Sequence, residues 1–452
     1  MANDYLTKGV IFITDEIITD ILNEHQGDIE DISSFRKNNS LFINVTLKRK
    51  KLPCPVCGSI KLGIKEYKTK KIKHSILNRF PCFILYRARR FICRDCGKTF
   101  YEPNNFVQKN HTISKLTVMN VLNELKEPNA TFTSVANHNH ISRTQVESIF
   151  DKYVNVPRQP LSSVLCIDEV YTETSKKNKY SCLLLDFNSN QLIDVIINRK
   201  KYTLLNYFEN IPKKERERVQ YVIMDMYETY RSVTKLRLPK AKIAVDSFHV
   251  IKNYNEALDK IRKRIMSNYA KKSIEYYLLK KFNWTLFKDC IEENEAKYNR
   301  KLKRYINYPQ ILELILNISE ELRTAYELKS DYVYFNKHSN INDCEENFWK
   351  HIEDMKESNI PEILKMKKTL VRWSNEIFTS FIFIDGKRLS NGIMESKNGT
   401  AKKIKNNANG YRNFLRFRNR CLYVMNNNIN PNYSGSKSSI KMKGSPRGSY
   451  KK

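Results

Sequence analysis

The stretch Val164-Leu-Cys-Ile-Asp168-Glu-Val170 is an apolar run that carries two acids near its end, and it decides the fold of the largest part of the chain. Its length and composition are typical of a buried strand. An ionised carboxylate is costly to remove from water, so an aspartate at the end of such a strand usually has a cation as its partner. We therefore interpret Asp168 as a metal ligand.

A second strand-like run, Gln-Tyr-Val-Ile-Met-Asp-Met at 220–226, places Asp225 in the same way. Neighbouring strands lie about 4.8 Å apart, and two-metal phosphodiester chemistry uses cations roughly 3.5–4 Å apart. Carboxylates at adjacent strand ends could therefore share a pair of cations. Glu169 and Glu228 are competing acids, but adjacent side chains on a strand face opposite ways, so we expect Glu169 to point away from Asp168.

The elements that follow Asp168 predict an α/β catalytic core over residues 160–266. Two further strands, at 180–186 and 191–198, form a hairpin around Phe187-Asn-Ser-Asn190. A helix, the Asp225 strand, a second helix, a strand at 242–245 and a long helix to Met266 come next. A three-strand meander followed by β-α-β-α is the ribonuclease-H-like order, in which the first and fourth strands are neighbours. Other α/β folds share parts of this pattern.

The composition indicates a nucleic-acid partner. Among 452 residues, 80 Lys and Arg outnumber 48 Asp and Glu, which gives a net charge of +32. Such a surplus favours binding to phosphates, and we expect double-stranded DNA. There is no run of about 18 apolar residues and no secretory signal, so we expect no membrane partner. The expected location is the bacterial cytoplasm, at the nucleoid when DNA is bound.

Two Cys-x2-Cys pairs predict one structural zinc ion, with Cys54, Cys57, Cys93 and Cys96 as ligands. Each pair is followed by a glycine, which lets backbone NH groups approach the sulfurs. A redox pair is the alternative, although it would need only one such motif. Alternating residues between the pairs predict a β-rich zinc ribbon over 41–105, and residues 1–40 are interpreted as a helical lead-in without an assigned function.

Residues 106–154 have the pattern of a helix-turn-helix DNA-binding domain. Ser142 and Gln145 form a capping box before a helix with apolar residues at helical spacing. The side chains that this helix would offer to a major groove include Arg143, Thr144 and Gln145. The alternative is an ordinary αα-hairpin that packs internally.

The rest of the chain predicts three further segments: an all-helical insertion over 267–385, C-terminal helices of the catalytic core over 386–428, and a disordered basic tail over 429–452. Glu395 is the last acid in the chain, and the site needs a third carboxylate. A lone helical glutamate is usually a solvated surface residue, which is the alternative. The basic residues that we expect to contact DNA here are Lys397, Lys402, Lys403, Arg412, Arg416 and Arg420.

Taken together, the order of motifs resembles the bacterial insertion-sequence transposases of the ISL-three family. The resemblance covers about 47–422 and rests on several pieces: the two Cys-x2-Cys pairs, Ile167-Asp168-Glu169, Met224-Asp225-Met226, Asp246-Ser-Phe-His249 and Ser390-Asn-Gly-Ile-Met-Glu395. It implies a multidomain α+β protein with a zinc ribbon, a helix-turn-helix and a ribonuclease-H-like domain. The implied catalytic triad is Asp168, Asp225 and Glu395, with Asp246 and His249 as accessory residues of the active site.

The hypothesis from the sequence is a DDE transposase that binds the terminal inverted repeats of an insertion sequence, then cleaves and joins DNA by cut-and-paste. The three acids would hold two Mg²⁺ or Mn²⁺ ions per active site, and the protein would act as a homodimer or higher oligomer on DNA. The first alternative is a catalytically silent DNA-binding regulator derived from a transposase. The second is a nuclease or resolvase without a joining step.

Overall fold

The computed structural model describes Leu22 and residues 26–75, 80–175 and 178–433. Within it the chain forms two compact units, one of Met1–Pro157 with Lys403–Lys452 and one of Arg158–Lys402. No helix in the described ranges is long and apolar enough to cross a bilayer. Of the predicted tail, 434–452 lies outside the described residues.

The first unit contains a five-stranded sheet: β1 (Ile29–Lys37), β2 (Ser40–Leu47), β3 (Leu62–Lys73), β4 (Cys82–Cys93) and β5 (Thr99–Tyr101). The order is β1-β2-β4-β3, with β5 also paired to β4, and only the β2–β4 pair is parallel. Alternate residues of β2 are buried, as a sheet with one covered face requires.

The prediction of a helical lead-in over 1–40 is wrong from residue 29 onward, because β1 forms a hairpin with β2 there. The two residues between these strands, Asn38 and Asn39, both have positive φ, at 46° and 55°. Asparagine tolerates this conformation, and two such residues in a row make the tight turn that joins antiparallel strands. Residues 1–21 and 23–25 lie outside the described part of the chain.

Three helices follow the sheet: α1 (Lys115–Glu124), α2 (Phe132–His138) and α3 (Arg143–Tyr153). Thr131 caps α2 and Ser142 caps α3, each in a capping box with the residue three positions later. The apolar faces of the helices meet at buried side chains that include Leu122, Val135, Val146 and Phe150.

The last helix, α15 (Phe414–Met425), belongs to this first unit. Tyr423 donates a hydrogen bond to the carbonyl of Leu122 in α1, and Asn419 donates one to the carbonyl of Val154 after α3. The sequence prediction that 386–428 are helices of the catalytic core is therefore wrong for α15. An amphipathic helix shows that it has a buried face, but its sequence does not say which partner covers that face.

The second unit is built on the strands β6 (Val164–Ser175), β7 (Asn178–Asp186), β8 (Leu192–Ile196), β9 (Tyr221–Met224) and β10 (Lys242–Val245), in the order β10-β9-β6-β7-β8. β6, β7 and β8 form an antiparallel meander, whereas β9 is parallel to both β6 and β10. The first and fourth strands are thus neighbours, as the order of elements predicts. The helices α4 (Lys201–Glu209), α5 (Lys213–Arg216) and α6 (Glu228–Arg237) join them.

After β10 the long helix α7 (Ser247–Met266) leads into α8 (Ile274–Lys281), α9 (Tyr308–Leu316), α10 (Glu320–His338), α11 (Cys344–Glu357), α12 (Pro361–Arg372) and α13 (Ser374–Thr379). Their buried faces form one continuous apolar cluster with α7. The insertion is not all-helical, because β11 (Lys297–Asn299) pairs with β12 (Arg304–Ile306) and β13 (Phe383–Ile384) pairs with β14 (Lys387–Arg388). Helix α14 (Gly392–Asn407) follows β14.

Candidate metal centres and DNA-binding elements

The four predicted zinc ligands lie together in the first unit. The sulfurs of Cys54 and Cys96 are 3.7 Å apart, those of Cys57 and Cys93 are 3.6 Å apart, and all four lie within 4.8 Å of one another. Four sulfurs placed tetrahedrally at a Zn–S distance of about 2.3 Å would be about 3.8 Å apart. The spacing therefore fits a zinc ion, as predicted.

Local backbone geometry brings each cysteine pair into this arrangement. The NH of Gly58 donates to the carbonyl of Cys54, and the NH of Gly97 donates to that of Cys93, both at 2.9 Å. The two glycines have φ of 74° and 67°, a conformation that other residues rarely adopt. Each knuckle is thus a tight turn, and the antiparallel pairing of Leu62 with Cys93 aligns the two turns.

In the second unit, Asp168 is 8% exposed in the central strand β6, just beyond Cys166, the last residue of β6 that pairs with β9. The strand continues to Ser175, so the prediction that Asp168 stands near the end of its strand is wrong. One of its carboxylate oxygens accepts a hydrogen bond of 2.7 Å from the backbone NH of Glu169, and the other accepts one of 2.5 Å from the side-chain amide of Asn398. Both oxygens therefore have a fixed donor. This contact with α14 joins segments that are 230 residues apart in the sequence.

Asp225 follows β9, the parallel neighbour of β6, and the structure brings it to Asp168. Oxygens of Asp168, Glu169 and Asp225 lie within 4.8 Å of one another, and a second group contains Asp225, Asp246 and His249. His249 is at the start of α7, where its Nε2 is 2.8 Å from Asp225 Oδ1 and 3.9 Å from Asp246 Oδ2. Two catalytic candidates and both accessory residues thus meet at one edge of the sheet.

Glu169 is closer to this cluster than the alternation of a strand suggests. Its carboxylate is paired with Arg199 and accepts a hydrogen bond of 3.0 Å from the hydroxyl of Tyr230. The expectation that Glu169 points away from Asp168 is therefore wrong, because carboxylate oxygens of the two residues lie within 4.8 Å of each other. Its partners nevertheless neutralise the charge that Glu169 would add to the site.

Burial and mutual repulsion set the protonation of the carboxylates. Burial raises the pKa of Asp168 to about 7, and the charge of Asp225 adds to the effect. Burial also raises the pKa of Asp246. Burial lowers the pKa of His249, but its hydrogen bond to Asp225 and the charges of both aspartates outweigh burial, so the pKa is raised overall. Closely placed acids in a dry pocket favour the binding of cations.

The third predicted acid, Glu395, has an exposed side chain in the first turn of α14 and belongs to neither cluster of potential ligands in the described part of the chain. Its helix nevertheless contacts the aspartates, because Asn398 reaches Asp168 and the backbone NH of Asn391 is 3.3 Å from Asp246 Oδ1. The sequence analysis missed both asparagines. Their positions four residues before and three residues after Glu395 would have identified them, since such spacings share one helix face.

Comparison with known proteins finds matches to two parts of the chain. A family model described as transposase, of the ISL3 (ISL-three) family, matches residues 165–421, and a model described as the zinc-finger of transposase IS204/IS1001/IS1096/IS1165 matches residues 50–96. The chain belongs to the ISL-three family of transposases. A curated relative, the transposase for insertion sequence element IS1001 of Bordetella parapertussis, is 21% identical over 392 residues, which cover 84% of this chain and 90% of the relative.

In this transposase the predicted recognition helix α3 presents two exposed side chains, Arg143 and Thr144, at its N-terminus. Arg143 forms an ion pair of 2.8 Å with Glu147 on the same helix. Gln145 is half-buried, and its side-chain oxygen accepts the backbone NH of Ser142 within the capping box. Gln145 therefore already has a structural role in the transposase.

The three arginines of the C-terminal segment of the transposase have different environments. Arg412 is exposed, as a DNA-contacting residue should be. Arg416 is paired with Asp151 and Glu147, at 2.6 and 2.9 Å, so it holds α15 against α3. Arg420 is fully buried and donates to the carbonyls of Glu127 and Ala130. The prediction that Arg420 contacts DNA is wrong, because no part of its side chain is accessible.

The predicted DNA-binding lysines lie on α14. Lys402 and Lys403 are exposed, whereas Lys397 is half-buried and burial lowers its pKa. Lys402 and Lys403 are thus available to phosphates.

Proposed function

We propose that this protein is a DDE transposase with a ribonuclease-H-like catalytic domain, which binds the terminal inverted repeats of its element, cleaves the DNA ends and joins them to a target. The observation that carries the proposal is the meeting of Asp168 and Asp225. They come from adjacent parallel strands, and their carboxylate oxygens lie within 4.8 Å of each other. An edge of a sheet with converging acids is the arrangement that metal-assisted phosphodiester chemistry requires.

The donor set fits Mg²⁺ or Mn²⁺, two per active site. Carboxylate oxygens are the ligands that these hard cations prefer, whereas a zinc site would use thiolates and imidazoles. Asp168, Asp225 and Glu395 would hold the cations. When bound, such ions polarise the phosphodiester and lower the pKa of the attacking hydroxyl group.

The residues of the chain itself hold this site in place. The amide of Asn398 and the NH of Glu169 fix the Asp168 carboxylate, so its oxygens point in set directions. His249 contacts Asp225 and lies near Asp246, which orients both carboxylates in the absence of cations. Arg199 and Tyr230 hold Glu169, so that Glu169 is already neutralised and Asp168 and Asp225 are left to hold the cations.

Binding to DNA is supported by the net charge of +32 and by the exposed basic residues. Arg143 and Thr144 lie at the N-terminus of a helix-turn-helix recognition helix, where base contacts are usually made. Lys402, Lys403 and Arg412 would contact phosphates. We propose that a homodimer or larger assembly binds two element ends, since joining both ends to one target needs two active sites.

The direct test is cleavage of labelled DNA that contains an element end, with purified protein and Mg²⁺. We expect Asp168→Asn, Asp225→Asn and Glu395→Gln each to lower the cleavage rate by about 10³-fold or more, while DNA affinity stays within about threefold. Glu228→Gln is the matched control, because Glu228 is an acid near the site that pairs with Arg372. Undiminished cleavage by Glu395→Gln would remove Glu395 from the triad.

The same assay separates the two alternative functions. A silent DNA-binding regulator would bind the ends without any Mg²⁺-dependent cleavage by the unmodified protein. A nuclease or resolvase would cut the ends without joining them to a supplied target plasmid. Products in which an element end is covalently linked to target DNA support transposition over both.

A further inference from the structure

The face of α14 that carries Glu395 is attached to the catalytic sheet by two buried asparagines. Asn391 is 1% exposed and Asn398 is 8% exposed. The side-chain amide of Asn391 lies 3.4 Å from the carbonyl of Ile167, and that of Asn398 donates to Asp168 at 2.5 Å. Both contacts are with consecutive residues of β6, so the helix is attached to the part of the strand that presents the catalytic aspartate.

The spacing of these residues fixes where Glu395 must lie. Asn391 immediately precedes the first residue of α14, and at 3.6 residues per turn Glu395 lies about 60° from Asn398 around the helix axis. Because the two asparagines face β6, the helix cannot rotate without breaking both contacts. Glu395 therefore lies one turn from the residue that holds Asp168, on the exposed side of that contact.

The polar contact of Asn398 is specific to Asp168. In the described part of the chain, the side-chain oxygen of Asn398 is buried without a hydrogen-bond partner, and so is that of Asn391. A buried amide with one unmet acceptor is a poor choice for packing alone, since an apolar side chain of the same shape would avoid that cost. The residue is better explained by the donor that it supplies to the carboxylate.

We propose that Asn398 is a positioning residue of the catalytic site: its amide orients the Asp168 carboxylate and, together with Asn391, sets the rotation of α14 that presents Glu395 to the cations. The inference rests on the proposed function. In this proposal the hydrogen bond from Asn398 to Asp168 links the positions of Asp168 and Glu395. Neither asparagine needs to contact DNA or metal for this role.

The test uses Asn398→Leu in the full chain, because leucine has nearly the same shape as asparagine and lacks the donor. Its readout is the affinity for Mn²⁺ without DNA, measured by titration and by the electron paramagnetic resonance signal of free Mn²⁺. We expect an affinity loss of about 10- to 100-fold, the range seen when a partner of a metal ligand is removed. Asn406→Leu, an exposed position on the same helix, is the matched control and should bind Mn²⁺ like the unmodified protein.

A purely structural role would change other quantities. If Asn398→Leu binds Mn²⁺ as tightly as the unmodified protein, the proposal is overturned. It is also overturned if the affinity falls only in step with the melting temperature or with the binding of end-containing DNA. Asn391→Leu should weaken Mn²⁺ binding by a smaller factor, since it contacts a backbone carbonyl and not the carboxylate.

Asp168→Asn separates this proposal from the proposed function. If Asp168→Asn abolishes Mn²⁺ binding and Asn398→Leu does not weaken it, the metal site stands and the role of Asn398 is refuted. If Asp168→Asn leaves Mn²⁺ binding intact, the proposed catalytic site is itself wrong, and the inference falls with it.

Discussion

The two clusters of potential metal ligands differ in their effect on the stability of the protein. The four cysteines lie on two glycine turns of one sheet, with the sulfurs already at the spacing of a tetrahedral site. The carboxylates come from β6 and from the residues that follow β9 and β10, and burial raises the pKa of Asp168 to about 7. The cysteine cluster therefore stabilises its unit once zinc is bound, whereas the acid cluster costs stability in the absence of cations.

The largest effect that this comparison predicts is on the zinc cluster. Cys93→Ser should abolish stoichiometric zinc and unfold the sheet of residues 29–101, because zinc binding contributes about 10 kcal/mol or more to the folding of such modules. Metal analysis and limited proteolysis would measure both changes. Cys290→Ser, an exposed cysteine outside the cluster, should retain zinc and protease resistance. A ribbon that stays protease-resistant after Cys93→Ser would show that the sheet does not depend on the metal.

In the acid cluster, by contrast, we expect the loss of a ligand to raise the stability of the protein. In Mg²⁺-free buffer at pH 8, Asp168→Asn should raise the free energy of unfolding by about 3 kcal/mol, because it removes a buried charge that repels Asp225. Urea denaturation of the second unit, followed by tryptophan fluorescence, would measure the gain. Glu228→Gln removes an exposed acid and should change stability by less than about 1 kcal/mol. A destabilised Asp168→Asn protein would mean that the carboxylate serves the fold.

Lowering the pH should change the free energy of unfolding through His351. Burial lowers the pKa of this histidine to about 4. The unfolded chain binds a proton below about pH 6.5 and the folded chain does not, so stability is complete above pH 6.5 and falls as pH drops towards 4. The loss should reach about 2 kcal/mol by pH 5. Asp168 has the opposite dependence: its folded pKa lies above the unfolded value, so its destabilising effect weakens as pH falls below 7.

Urea denaturation at pH 7 and pH 5 would resolve these opposing contributions. His351→Gln should remove the acid-induced loss and reveal the gain that comes from Asp168. The control is His338→Gln, which changes an exposed histidine. If the pH dependence of His351→Gln matches that of the unmodified protein, His351 is not the group responsible.

The smallest expected effect concerns the partner of Glu169. Arg199→Ala leaves Glu169 with only the hydroxyl of Tyr230 and adds an unneutralised charge near Asp168 and Asp225. Since Arg199 is partly exposed, we expect a loss of about 1 kcal/mol or less in Mg²⁺-free buffer. Denaturation in the presence of Mn²⁺ should show a smaller loss than in its absence. Arg218→Ala, at an exposed position, is the control.

The difference between the two clusters also explains what the sequence could predict. The cysteine ligands follow from a local spacing, because a Cys-x2-Cys turn places both sulfurs without help from the rest of the chain. Asp168 in β6 and Asp225 after β9 were predictable from their apolar strands and from the order of elements, although β6 continues to Ser175 beyond the predicted strand. Asn391 and Asn398 were missed, because their spacing from Glu395 indicates a shared helix face only once Glu395 itself is placed on a helix that packs against β6.

Other differences have equally local causes. The strand β1 was missed because its residues do not alternate strictly, and the turn at Asn38 and Asn39 is its main signal. The hairpin of β11 and β12 turns at residues 300–303, where Lys303 has a φ of 53°, a conformation that lysine gives no reason to expect. Arg420 is basic in a basic segment, so only the structure could identify it as a buried donor to two carbonyls.

The burial of Arg420 has a consequence for damaged copies of the gene. Helix α15 packs against the predicted helix-turn-helix domain, although the two are far apart in the sequence. Its contacts are with Leu122, Glu127 and Ala130. A frameshift or early stop just before Phe414 would therefore remove a part of the proposed DNA-binding fold and would leave Glu395 in place. Such a truncated product should not persist as a competent repressor of intact copies, because the helices of the first unit would lose the partner that covers their buried faces.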